Sequence, residues 1–185
     1  MRFSTLLVAG FAALTQATDA PIVNNNPNTI YNAVLPRDAF YHGKLNGNIR
    51  GSVRASRGPG GKGVKYNVHF ENLPKEGGPF IYHVHANPVP SDGNCTKTLA
   101  HLDPYHRGED PPCDASRPNT CQVGDLSGKF GHIVGGPFRA EYIDPYSSLI
   151  EGTDAYIGSR SIVVHFANKT RITCANFERA SGCAA

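Results

Sequence analysis

"GVKYNVHFENL", residues 63–73, alternates apolar and polar side chains without a break. Val64, Tyr66, Val68 and Phe70 fall on one side, Lys65, Asn67 and His69 on the other. A period of two belongs to a β-strand with one buried face. The same alternation runs through Ile49, Val53 and Ala55 in "NIRGSVRAS" (48–56), and through Ile162, Val164 and Phe166 in "GSRSIVVHFAN" (158–168). "RGPGGKG" (57–63) parts the first two runs with turn residues, so 48–73 reads as a β-hairpin. Further strands are expected near 38–45, 80–87, 138–143 and 172–177. Helical periodicity is almost absent, and 20 Gly and 14 Pro punctuate the chain too often for long helices. Seven or eight short antiparallel strands imply an all-β sandwich or closed barrel.

One stretch breaks the rhythm. Residues 88–137 are rich in Pro, Gly, Asp and Asn and carry three of the five cysteines. A loop of that length inside a compact domain is usually functional.

The first 20 residues, "MRFSTLLVAGFAALTQATDA", have the pattern of a secretory signal peptide. Arg2 precedes an apolar core from Leu6 to Leu14, and Ala17 or Ala20 offers a small-residue cleavage position. That core is too short to span a bilayer, and no later stretch is long and apolar enough. The expected organisation is a signal peptide over 1–20, an N-terminal extension over 21–37, one β-domain over 38–178 and a tail over 179–185. A net charge of +3, without a basic stripe interleaved with aromatics, argues against nucleic acid as a partner. Five cysteines in a secreted chain point to disulfides in an oxidising compartment, with one thiol left over. Asn94-Cys95-Thr96 and Asn168-Lys169-Thr170 are glycosylation sequons and agree with an extracellular or cell-wall location.

"HVHANPVP" (83–90) places His83 and His85 on the same face of a strand, opposite Val84. "SIVVH" (161–165) sets His165 opposite Val164 in the same way, and "CTKTLAHLDPY" (95–105) supplies His101 from the long loop. Three or four neutral imidazoles with no thiolate suit Cu(II) in tetragonal geometry, or Zn(II). Periodicity does not choose between the two metals. His42, His69 and His132 read as solvated side chains, and Lys129 in "LSGKFG" as surface charge.

HVH, the Cys95-to-His101 segment, "VGDLSGK" (123–129), "IGSRSIVVH" (157–165) and "RITC" (171–174) follow one another as in the Cu,Zn superoxide dismutase family. The chain resembles that family over roughly residues 40–177. The resemblance implies a Greek-key β-barrel with copper on its outer wall. It implies His83, His85, His101 and His165 as copper ligands and Arg171 as the active-site arginine. It also implies a Cys95–Cys174 disulfide, and a role for His101 in proton transfer. The remaining pair, Cys113 and Cys121, lie eight residues apart and are expected to bridge, leaving Cys183 free. Pairing of Cys183 with either of them is the alternative.

The departures are as informative. Zinc-binding members have His-Val-Gly-Asp where this chain reads Gln122-Val123-Gly124-Asp125, and a second zinc histidine where it reads "YHRGEDPP" (105–112). His106 is offset from that position. The long charged loop after the last copper ligand is replaced by five residues, "FANKT" (166–170). In these respects the chain is similar to the secreted copper-only superoxide dismutases of fungi. The resemblance thus implies one copper per chain, no zinc, and copper-dependent disproportionation of superoxide to oxygen and hydrogen peroxide by a monomer. A non-catalytic copper-binding or storage domain on the same fold is the alternative. A metal-bound imidazole normally has its second nitrogen held by a partner. With zinc gone, Gln122 or Asp125 is expected within hydrogen-bond reach of His101.

Overall fold

The 63–73 segment is the hub of the larger sheet. The computed structural model describes residues 16–181, and in it Val64–Glu71 forms β3, whose Val64, Tyr66, Val68 and Phe70 are all buried. β3 pairs antiparallel with β2 (Arg50–Arg57) on one side and β5 (Phe138–Asp144) on the other. β1 (Ile30–Val34) and the short β8 (Glu178–Arg179) complete a five-stranded sheet in the order β5-β3-β2-β1-β8. A second sheet has the order β4-β6-β7, from Ile81–His85, Ser161–His165 and Arg171–Asn176. The two sheets close over one apolar core in which Val53, Tyr66, Phe70, Tyr82, Val84, Ile162, Val164 and Ile172 pack together. The architecture is a β-sandwich of eight strands, with the only α-helix among the described residues, α1 (Leu126–Phe130), packed against β4.

Three expectations need correction. The first strand lies at 30–34, not 38–45, so the stretch read as an N-terminal extension contains an integral strand paired with β2 and β8. Tyr31, Ala33 and Leu35 alternate inward there, a signal hidden behind the polar "NNNPN" run. Residues 38–45 instead form an irregular segment, tied to β7 by a backbone bond from Tyr41 N–H to the Ile172 carbonyl. Lys129 is not a surface charge. Its side chain is wholly buried and its Nζ donates to Asp144 Oδ1 and to the Val123 carbonyl, each at 2.9 Å.

The signal-peptide reading falls mostly on residues 1–15, which lie outside the described residues, but its last residues are visible. Thr18 N–H donates to the Tyr105 carbonyl, Ala20 N–H to the Asn119 carbonyl, and Ala20 is buried. Cleavage after Ala17 keeps these contacts; cleavage after Ala20 removes them. Cys183 likewise lies outside the described residues.

The long loop is folded against the second sheet by three backbone bonds in a ring. Val84 N–H donates to the Gly124 carbonyl, Gly124 N–H to that of Leu102, and Leu102 N–H to that of Val84. A β-carbon at position 124 would sit 2.2 Å from the Val84 carbonyl oxygen, so only glycine permits this approach. The ring binds together the three segments that carry His83 and His85, His101, and Gln122. Two disulfides, Cys95–Cys174 and Cys113–Cys121, fasten the loop further.

Candidate metal centre

The four histidines converge. His83 and His85 project from β4, His165 ends β6 at a register shift that re-aims its ring, and His101 comes from the loop through a bridge to His85. One ring nitrogen from each lies within 4.8 Å of the others, and no other cluster of this kind occurs among the described residues. His106 is not part of it.

The hydrogen bonds decide which nitrogens are free. His85 Nδ1 lies 2.9 Å from the Leu99 carbonyl, and His165 Nδ1 3.0 Å from the Lys169 carbonyl. A carbonyl only accepts, so both Nδ1 atoms carry the proton and both Nε2 atoms carry lone pairs. Those two Nε2 atoms face each other at 3.2 Å. His101 Nδ1 donates to Gln122 Oε1 at 2.6 Å, which frees its Nε2. His83 Nε2 lies 3.4 Å from the Asp125 carboxylate and 3.2 Å from Ser127 Oγ, while its Nδ1 is buried without a partner. Four lone pairs thus meet with no proton among them.

Protons do not relieve this crowding. Burial, then the neighbouring His101 and His165, push His85 down to about 2. Burial, then His83, push His165 to about 3 and His101 to about 4, the latter against the opposing pull of Gln122 and Glu109. A cation that accepts four imidazole nitrogens fits the donor set, and neutral imidazole suits copper or zinc.

Arg171 opens β7 beside the cluster. Its guanidinium donates to the Cys95 and Leu99 carbonyls, so the Leu99 oxygen holds both the arginine and the His85 ring. Leu99 adopts φ 61° and ψ −143° to do this, a region that favours glycine. A cavity of about 460 Å³ opens beside His83 and His101, bordered by Glu109, Gln122, Asp125 and Lys169. Lys169 and Glu109 pair across its rim at 2.5 Å, and Glu109 comes within 3.9 Å of His101 Nδ1.

Of the two residues expected beside His101, Gln122 is in contact, whereas Asp125 serves His83 and caps α1 through the Gly128 N–H. Leu99, Asp103 and Ser127 also belong to the site; they lie within the 95–105 and 123–129 segments, but nothing in those segments sets them apart as site residues. Leu99 contributes only a carbonyl, which no side-chain pattern reports. The two sequon asparagines are at turns: Asn168 is exposed and Asn94 half-buried, each accepting from the N–H two residues on.

No family model matches the chain. Curated relatives do. The cell surface Cu-only superoxide dismutase of Arthroderma benhamiae is 38% identical over 197 residues, 91% of this chain and 51% of that protein. The cell surface Cu-only superoxide dismutase 5 of Candida albicans is 39% identical over 176 residues, 94% of this chain and 70% of that protein. The chain therefore spans about half the length of the first relative. The solved Cu(II) structure of superoxide dismutase 5 from Candida albicans superposes with a TM-score of 0.71 at 34% identity, covering 86% of this chain and 99% of that one. With this identity and coverage, and with the same strand framework, the chain belongs to the family of cell-surface superoxide dismutases.

Proposed function

We propose that this chain is a secreted, cell-surface copper-only superoxide dismutase. The observation that carries the reading is the pair of lone-pair-bearing Nε2 atoms of His85 and His165 facing each other at 3.2 Å, inside the four-histidine cluster. His83 would bind copper through Nδ1, and His85, His101 and His165 through Nε2. Copper bound there supplies a one-electron couple for oxidising one superoxide and reducing the next.

The chain's own residues account for the rest. Arg171, permanently charged, draws the anion to the open side and donates hydrogen bonds to it. His101, the one half-buried ring of the four and beside the cavity, is the ring best placed to exchange a proton with the open side. Gln122, in place of a zinc histidine, turns its oxygen to His101 and its nitrogen to Asp103, which supports a site for copper without zinc.

The test is elemental analysis of protein loaded with both metals, together with superoxide turnover. One copper, no stoichiometric zinc and turnover above that of metal-free protein are expected. One tightly held zinc per chain defeats the copper-only reading. Stoichiometric copper without turnover selects the storage alternative.

A further inference from the structure

We infer that Asp103 is a positioning residue for the metal centre, acting on His101 through the Gln122 side chain; this rests on the proposed four-histidine copper site. A side-chain amide can turn either end to a neighbour. At position 122 the choice matters, because an amide oxygen facing His101 fixes the proton on Nδ1, whereas an amide nitrogen there would demand the opposite tautomer and cap the metal-binding Nε2 with hydrogen.

Asp103 makes the choice. Gln122 Nε2 donates to Asp103 Oδ2 at 3.3 Å while Gln122 Oε1 accepts from His101 at 2.6 Å. A carboxylate cannot donate, so the amide has one orientation that satisfies both neighbours. Asp103 is itself held. Its Oδ1 accepts from Arg107 N–H at 3.0 Å and its Oδ2 from Gly108 N–H at 2.8 Å. Gln122 is buried, so little water competes for its amide.

A consequence separates this arrangement from a merely structural one. A carboxylate at position 122 is the obvious improvement, since it would hold His101 more strongly. Next to Asp103 it would instead set two carboxylates in contact. Gln122→Glu should therefore harm the site with aspartate at 103 and be tolerated when Asp103→Asn accompanies it, because an asparagine amide can donate to the new carboxylate.

Two readouts test this on the full secreted chain with both disulfides formed. Long-range 1H–15N spectra of the metal-free protein near pH 7 should show His101 protonated at Nδ1, and D103A should move it toward the Nε2–H form. Chelator competition should show Cu(II) affinity falling about tenfold in D103A and in Q122E, within the range for lost partners of metal-bound histidines. In D103N/Q122E it should return to within about threefold of the native value. An unchanged His101 tautomer in folded D103A overturns the inference. So does an equal effect of Q122E with either residue at 103, a comparison that survives even if D103A fails to fold. Native protein that binds no Cu(II) at all, with the tautomer data as expected, would instead defeat the copper reading.

Discussion

Replacing Lys129 by methionine should cost the protein more stability than any surface lysine could. The ammonium sits at zero exposure against an equally buried Asp144, bonded at 2.9 Å, with its second bond to the Val123 carbonyl. Without it, Asp144 keeps the Ser147 hydroxyl, which is itself bonded to the buried Tyr66 hydroxyl. Methionine fills most of the lysine volume, so the loss is electrostatic rather than a cavity. Removing one partner of a buried pair costs about 3–5 kcal/mol, because the other charge is stranded. In a domain of this size that lowers the thermal midpoint by about 6–20 °C. Urea denaturation of metal-free, disulfide-intact protein measures it directly. The double variant K129M/D144N removes both charges and should recover a large part of the loss. A single variant within about 0.5 kcal/mol of the native protein, the range of an exposed position, would refute the buried-pair account.

Other outcomes follow from the site. Arg171→Ala should lower turnover and leave copper content unchanged; the loss should shrink at high salt to the extent that it reflects long-range attraction, which is screened over about 8–10 Å at physiological ionic strength. Leu99→Gly should raise the metal-free thermal midpoint, since relieving a backbone strain of about 1–3 kcal/mol outweighs the added freedom of the unfolded chain; a lower midpoint would contradict the strained geometry. The metal-free protein should lose stability as pH falls below about 6.5. His85, His101 and His165 are held neutral in the folded state, down to about 2, 4 and 3, while the unfolded rings take up protons first. Each ring then removes up to about 1.4 kcal/mol per pH unit until its folded value is reached, and a flat stability between pH 4 and 7 would exclude it.

The sandwich is legible in the sequence because its central strands are amphipathic: the 63–73 alternation predicts both the buried face of β3 and its pairing with β2. β1 is not, because "NNNPNT" reads as loop and leaves only five residues to show a period. The four histidines are readable from strand parity for His83, His85 and His165, and from resemblance for His101. What parity cannot supply is the direction of a proton, which here depends on carbonyls and carboxylates from distant segments. Lys129 is opaque for a related reason. A charged residue two positions from Gly131 looks solvated until the aspartate 15 residues further on is seen folded against it.

The Cys95–Cys174 bridge gives the site a sense of place. It holds the 95–98 turn against β7, and the carbonyls of Cys95 and Leu99, at either end of that turn, orient Arg171 and the His85 ring. A chain whose thiols are still reduced has the histidines but lacks the tether that sets the arginine over them. Oxidation thus becomes a licensing step: the covalent event that closes the bridge also fixes the arginine beside the four histidines.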